Sequence, residues 1–264
     1  MGRVTEPYYS DELVTLYHGR FEDVLPSLAL KADLIVADPP YGETSLDWDR
    51  WPDGWPSIAA QYARSMWVFG SMRMFLENRD EFADWKMSQD FVWEKHNGSG
   101  FAKDRFRRVH EHAIHWYRGK WSEIHHETPT TPDATPRQVR RKTRPQHMGV
   151  IEDSTYVSVD GGPRLMRSVM YHRSTHGRAI NETEKPVEVV TPLIQYGCRH
   201  GGLVVDLFSG SAAALIAAAQ VGCRAVGFEV RESQCESAAE RLTNNLVHAM
   251  ACAGAAERQA AADA

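Results

Sequence analysis

Hydrophobic and polar positions fall into short blocks that alternate between two patterns along the chain. Leu34-Ile35-Val36-Ala37 and Leu203-Val204-Val205 are unbroken apolar runs. Such runs fit parallel strands buried on both faces. Strands are likewise predicted over Leu13–Leu16, Asp33–Ala37, Met66–Phe69, Phe91–Glu94, Ala113–Tyr117, Leu203–Asp206 and Ala225–Phe228. Helical spacing is clearest in Pro186–Cys198, where Val187, Val190, Leu193 and Ile194 share one face. Further helices are predicted over Phe21–Leu28, Ile58–Arg64, Phe75–Asp84, Ser211–Gln220 and Ser233–Ala249. The alternation predicts an α/β fold, a three-layer, mostly parallel sheet whose two sequence halves meet at one crevice.

One stretch breaks the pattern. Thr128–Gly149 holds Pro129, Pro132, Pro136 and Pro145 with no apolar periodicity, and predicts a long loop or mobile arm. Order is expected to return weakly between Tyr156 and Met170, and the Ala-rich tail after Ala251 to fray.

Composition changes the picture little. The chain is 42% hydrophobic and 25% charged, as soluble globular proteins are. No apolar run reaches membrane-spanning length, and Met1–Glu12 lacks the basic start and apolar stretch of a signal peptide. Cys198, Cys223, Cys235 and Cys252 form no CxxC pair. A cytoplasmic protein without a membrane partner is the expectation.

Charge changes it more. The net charge is −5, yet Lys95–Ile180 carries 16 Lys and Arg against 8 Asp and Glu. A basic middle within an acidic chain points to a polyanion-facing surface. Arg137, Arg140, Arg141, Lys142 and Arg144, in the Pro-rich stretch, are the expected phosphate contacts.

Two motifs carry candidate chemistry. Asp206-Leu207-Phe208-Ser209-Gly210-Ser211 joins a predicted strand to a helix, and the next strand ends in Glu229. A small-residue turn lets backbone approach a ligand, and a carboxylate at the following strand end suits a ribose. No GxGxxG occurs, so a nucleoside cofactor without a pyrophosphate fits better than a dinucleotide. The second motif is Asp38-Pro39-Pro40-Tyr41, at the end of the Asp33–Ala37 strand. A carboxylate and a proline-stiffened carbonyl can accept both N–H bonds of an exocyclic base amine and localise its lone pair, and a tyrosine can stack on the extruded base.

Taken together, Asp38–Tyr41 and Asp206–Ser211 resemble the amino-methyltransferase family of DNA methylases. The order, catalytic motif first and cofactor motif last, resembles its β group. Thr183-Glu184-Lys185-Pro186 is similar to the element before the family's first cofactor helix. Trp93-Glu94-Lys95 and Glu111-His112-Ala113 are similar to strand motifs flanking its recognition region, and Gly227-Phe228-Glu229 to its ribose-binding strand. The resemblance implies S-adenosylmethionine as cofactor, double-stranded DNA as partner, and a homodimer as an assembly common in the group. It implies that Asp38, Pro39, Pro40 and Tyr41 form the catalytic site. It further implies that Asp206, Phe208, Ser209, Gly210, Ser211 and Glu229 surround the cofactor, with Lys185 and Pro186 closing the pocket from the side.

On this basis residues 1–94 form the catalytic half, 95–180 the target-recognition region, 181–250 the cofactor half and 251–264 a tail. The expected reaction is site-specific methylation of adenine N6, since Asp at the motif head leans toward adenine in the family. N4-cytosine methylation is the near alternative, and a DNA-binding protein impaired in catalysis the other. Three departures bear on cofactor affinity: Ala212 and Ala213 stand where the family has Gly and Thr, and Gly19-Arg20 where it often has Gly-Asp. The methyl of Ala212 is expected to narrow the pocket.

Other chemistries fit less well. His110 and His112 would share a strand face but His115 would not, so zinc is not expected. No Pro-Cys pair supports cytosine-C5 chemistry, and no GxxxxGK[ST] supports nucleotide hydrolysis.

Overall fold

The structure is a computed structural model that describes residues 6–99, 103–141, 154–175, 180 and 183–245. The chain forms two compact units, one of Met1–His126 with Ser168–Ala264 and one of Glu127–Arg167.

The larger unit is built on a nine-stranded sheet. In chain order its elements are β1 (Tyr9–Ser10), β2 (Val14–His18), α1 (Phe21–Val24), β3 (Leu34–Ala37), α2 (Trp55–Ala59), β4 (Ser65–Gly70), α3 (Met72–Glu77), β5 (Lys86–Ser99) and β6 (Arg108–Tyr117). The smaller unit holds β7 (Thr130–Thr131), β8 (Arg137–Arg141), β9 (Ser154–Ser158) and β10 (Arg164–Leu165). The larger unit then resumes with β11 (Val169–Tyr171), α4 (Val187–Gly197), β12 (Leu203–Asp206), α5 (Ala213–Gln220) and β13 (Arg224–Glu229). A last helix covers residues 232–245.

Strand order across the sheet is β1-β2-β13-β12-β3-β4-β6-β5-β11. The five strands from β2 to β4 are mutually parallel. The β5–β6 hairpin adds antiparallel to β4. β12 and β3 lie side by side although 170 positions separate their paired residues Val205↔Ile35, with Asp206 level with Val36. Connections from these two strands leave in opposite directions, β3 toward β4 and β12 toward β13. That divergence opens a crevice at the carboxyl ends of the strands, where ligands of open α/β sheets bind.

The core explains why the central strands form. All four residues of β3 are buried, as a continuous apolar run requires when both faces are covered. Ile35 and Ala37 join Met66, Val68 and Val205 in a cluster with Phe21 and Val24 of α1, Trp55 of α2 and Phe75 of α3. On the opposite face Leu34 lies against Gly197 of α4, where an added Cβ would come within 2.9 Å of its side chain. Trp67 meets Tyr196 of α4 edge-on at 5.6 Å. The sheet is therefore the middle of three layers.

Several boundaries differ from those the sequence predicts. The helix expected over Phe75–Asp84 is α3 followed by a 3₁₀ turn, Arg79–Phe82. Ser71 starts α3 earlier by accepting a hydrogen bond from the Met74 amide at 3.0 Å. The helix expected over Ile58–Arg64 is α2, displaced toward Pro56 in its first turn. The loop expected over Thr128–Gly149 is corrected in part. Residues Arg137–Arg141 are strand β8, paired antiparallel with β9 from Arg137↔Ser158 to Arg141↔Ser154. Backbone pairing compensates there for the missing apolar pattern.

Candidate active site

The two sequence motifs line one cavity. Its wall includes Asp38 and Pro40 from the end of β3, Lys185 before α4, and Asp206, Phe208, Ser209, Gly210 and Ser211 after β12. Glu229, Val230 and Arg231 from the end of β13 and Trp48 complete one side. Adjacent parallel strands deliver these loops to the same edge, so the placement follows from strand order.

At the end of β3, Asp38 is held by two donors. The Tyr41 hydroxyl donates to its Oδ1 at 2.8 Å, and the Lys185 ammonium to its Oδ2 at 2.6 Å. Lys185 also faces Glu111 Oε2 at 3.4 Å, and Lys95 pairs with the other oxygen of Glu111. The result is a partly buried row of alternating charge, Asp38–Lys185–Glu111–Lys95. The rings of Tyr41 and Phe69 flank the Lys185 ammonium at 5.6 and 5.5 Å. Burial opposes charge on Glu111, but Lys185 and Lys95 outweigh it and hold this carboxyl at about 2. Burial also opposes charge on Lys185, yet Asp38 and Glu111 keep its pKa above the ordinary lysine value. Burial lifts Asp38 above the ordinary carboxylate value, partly offset by Lys185. Burial and the Asp38 charge push the Tyr41 phenol well up, so it stays a donor.

The loop after Tyr41 is fixed by Asp49, which accepts from the amides of Gly42 at 2.8 Å and Thr44 at 2.7 Å. Glu43, between them, takes the Ser71 hydroxyl and pairs with Arg108 at 3.1 Å.

On the other side, the turn after β12 is drawn together by backbone and carboxylate contacts. Glu229 Oε2 accepts from the Gly210 amide at 2.9 Å, and Oε1 from the Arg231 amide at 2.9 Å. Asp206 Oδ1 accepts from the Phe208 amide at 3.0 Å. Burial pushes the Asp206 carboxyl up to about 8; the Phe208 amide works against this, and the charges of Asp38 and Glu229 add to it. Arg241 bridges the Ser211 carbonyl at 2.9 Å and Glu184 at 3.1 Å, tying the turn to the segment that carries Lys185. Phe208 meets Phe21 and Trp55 edge-on, each at 5.5 Å, so one ring serves both core and cavity.

Each sequence-predicted residue can now be placed. Asp38, Pro40, Lys185, Asp206, Phe208, Ser209, Gly210, Ser211 and Glu229 line the cavity. Pro39 is buried and stands between the lining residues Asp38 and Pro40, and Tyr41 is tied to the wall by its hydrogen bond to Asp38. Pro186 is buried at the start of α4, where its fixed φ of −60° leads into the helix. Ala212 corrects an expectation. It is buried and lies outside the cavity wall, so its methyl does not narrow the pocket; it adopts left-handed backbone at φ 61° instead. Two left-handed residues, Gly210 and Ala212, delay the helix to Ala213, which does line the cavity. Arg137, Arg140 and Arg141 lie on β8 rather than in a loop, with Arg137 exposed. Lys142 and Arg144 lie outside the described residues.

Sequence reading missed the role of Glu111 and Lys95, and missed Trp48 and Arg231. A signal existed for the first pair: Trp93 pairs with Glu111 across the hairpin, which brings Lys95, two residues on, to the same face. The histidines separate as expected. His115 is buried between the hydroxyls of Ser65 at 2.9 Å and Ser88 at 2.6 Å. Its role is structural.

Comparison with known proteins agrees with this geometry. A family model described as DNA methylase matches residues 32–240. The chain belongs to the DNA methylase family. Within it, the motif order is that of the β-group amino-methyltransferases. Solved structures of the family share the fold. The M1.HpyAVI–SAM complex superposes with a TM-score of 0.59 at 18% identity, covering 87% of this chain and 99% of that one. PvuII DNA methyltransferase, cytosine-N4-specific, has a TM-score of 0.59 at 13% identity, covering 91% and 94%. The methylase-named protein YubD of Escherichia coli (strain K12) is 29% identical over 103 residues, 36% of this chain. The match spans 44% of YubD's length.

Proposed function

We propose that this DNA methylase family member is an S-adenosylmethionine-dependent methyltransferase acting on the N6 amine of adenine in double-stranded DNA. The observation that carries this reading is the single cavity shared by Asp38 and the Asp206–Ser211 turn, with Glu229 at the next strand end.

The cavity's chemistry suits this cofactor. Carboxyl groups of Asp38, Asp206 and Glu229 converge on it, which favours a ligand with cationic centres and hydroxyl donors. Its Gly-Ser turn has no glycine-rich cradle for a pyrophosphate. Asp206, Phe208, Ser209, Gly210, Ser211 and Glu229 would hold the cofactor, with Trp48 and Arg231 closing the outer side and Lys185 and Pro186 the flank. When bound, S-adenosylmethionine supplies a methyl group on a sulfonium.

The chain's own groups prepare the amine. The carboxylate of Asp38 uses one acceptor site for Tyr41 and one for Lys185, and carboxylates offer about four. A remaining site takes one amine N–H, and the Pro39 carbonyl takes the other. The amine lone pair then turns away from the base ring toward the cofactor side. Asp38 also stands ready to receive the proton that a methylated amine must lose. Pro39 and Pro40 keep the acceptors rigid, so little reorganisation is needed. The ring of Tyr41 would stack on the extruded base, while its hydroxyl keeps Asp38 oriented.

Adenine is favoured because Asp rather than Ser heads the motif. Single-molecule sequencing of host DNA after expression, beside an Asp38→Ala control, tests the reading. N6-methyladenine at a defined motif, absent in the control, is expected. N4-methylcytosine would reassign the base. Cofactor binding without any modified base would make the chain a DNA-binding protein without catalysis.

A further inference from the structure

Within the larger unit, the tip of the β5–β6 hairpin is unlike the remainder of the surface. Phe106 is 100% exposed, the most exposed large apolar side chain among the described residues. Its neighbours Lys103, Asp104, Arg105, Arg107 and Arg108 are all exposed, four cations to one carboxylate. Asp104 is taken up by Arg105 at 2.7 Å, and Lys103 and Arg107 are exposed on either side of Phe106 in sequence. The carbon stem of Arg107 lies over Gly98, where an added Cβ would come within 2.0 Å of it, so the hairpin is narrow at this point.

The tip is tied to the catalytic loop. Arg108, at its base, pairs with Glu43 at 3.1 Å, and Glu43 follows directly on Tyr41-Gly42. Asp49 fixes the amides on either side of Glu43. The same hairpin carries Lys95 and Glu111, the outer members of the ionic row ending at Asp38. A basic, aromatic-tipped finger is thus joined by one ion pair to the loop that follows Asp38–Tyr41.

Extruding a base from a duplex leaves an unstacked gap, and its neighbours regain energy when an apolar side chain fills it. We propose that Phe106 is that wedge: it inserts into duplex DNA beside the extruded base while Lys103 and Arg107 grip the flanking phosphates. The proposal rests on the methyltransferase reading above and deepens it. An aromatic face suits any base step, so the wedge supports extrusion without selecting sequence.

The test compares wild type, Phe106→Ala and Phe106→Trp by radiolabelled methyl transfer. Substrates are a duplex carrying the motif found by sequencing and the same duplex with an abasic site opposite the target base, where the base is already free to leave. Loss of the wedge should lower kcat/KM on the paired duplex by roughly 5- to 100-fold. Phe106→Trp should keep most activity, and the abasic duplex should bring Phe106→Ala close to wild type. Full exposure of Phe106 makes folding indifferent to the change, which a thermal melt checks. Equal rates for wild type and Phe106→Ala on paired DNA overturn the wedge, as does a loss that persists on the abasic duplex. A wild type inactive on all DNA instead removes the methyltransferase reading, and the wedge with it.

Discussion

Lys185 donates to Asp38 at 2.6 Å across 147 positions of sequence, and this contact joins the two halves of the site. Asp38 follows strand β3 near the start of the chain, and Lys185 precedes helix α4. The contact sits in a place where a lone carboxylate would be costly, because burial penalises its charge. Glu111 in turn neutralises the second side of Lys185. The role expected for Lys185, closing the cofactor pocket from the side, is therefore joined by a second one. It orients the carboxylate proposed to hold the target amine.

Replacing Asp38 with Ala should abolish methyl transfer while cofactor binding persists. The carboxylate is the proposed acceptor of the amine, whereas the Asp206–Ser211 turn is held by Glu229 and Arg241 through contacts that do not include Asp38. Titration calorimetry with S-adenosylmethionine, run beside a radiolabel assay, separates the two effects. Turnover near the wild-type value would remove Asp38 from the mechanism.

Lys185→Met should lower kcat more than it weakens cofactor binding. Removing one partner of a buried ion pair leaves the other uncompensated, a cost of about 3–5 kcal/mol that here falls on Asp38. A drop in kcat of roughly 100-fold, or about 3 kcal/mol, is expected, with less than about a tenfold rise in cofactor Kd. Glu111→Gln should act in the same direction but more weakly, since Lys185 keeps Asp38. A Lys185→Met enzyme with wild-type kcat and poor cofactor binding would return Lys185 to the pocket wall alone.

Legibility followed burial. β3 and β12 could be read because strands covered on both faces carry unbroken apolar runs, and their last residues then marked the site. The partner of Lys185 could not be read, because an ion pair between distant segments leaves no local pattern. The full length of β5 was also hidden: beyond Glu94 it runs through Lys95, His96 and Asn97, polar residues that conceal a strand continuing as a hairpin arm. β8 was missed for the same reason, five residues held by backbone pairing with β9. Ala212 could be flagged as unusual, but only the backbone reveals why glycine is expected there.

Ala212→Gly should stabilise the protein without altering cofactor affinity. A non-glycine residue at φ 61° carries strain of about 1–3 kcal/mol, and the greater freedom of glycine in the unfolded chain returns part of that. A rise in Tm of roughly 1–3 °C is expected. Because Ala212 lies outside the cavity wall, cofactor Kd should stay within about twofold of wild type. A lower Tm would show that the methyl's packing outweighs the strain.

His115 should make the protein acid-sensitive. Burial, with a smaller contribution from His126, lowers its pKa from 6.5 to about 4. The folded state therefore resists a proton that the unfolded chain takes up. Stability is fully present above about pH 6.5 and falls as the pH drops toward 4, by on the order of 2–3 kcal/mol. Urea unfolding between pH 7 and 4 measures the loss, and NMR titration of the ring assigns it. A His115 ring that titrates near 6.5 in the folded protein would remove the effect.

Asp206 should act at the other end of the pH range. Its carboxyl rises from 3.8 to about 8, chiefly through burial, with the charges of Asp38 and Glu229 adding to the rise. A raised folded pKa means that the folded state holds the proton more tightly than the unfolded chain. The associated stability is greatest below about pH 4 and is lost as the pH rises through 8. Between pH 5 and 8 the ligand-free protein should lose roughly 5 °C or more in Tm on this account, and Asp206→Asn should flatten the slope. Cofactor binding reverses the balance. A cationic ligand in the cavity favours the carboxylate, so binding at pH 7 should release a fraction of a proton from Asp206. Calorimetry in buffers of different ionisation enthalpy reads that release directly. Wild type and Asp206→Asn giving the same buffer dependence would show that Asp206 is already ionised in the free protein, and that the cavity meets its ligand with its full negative charge.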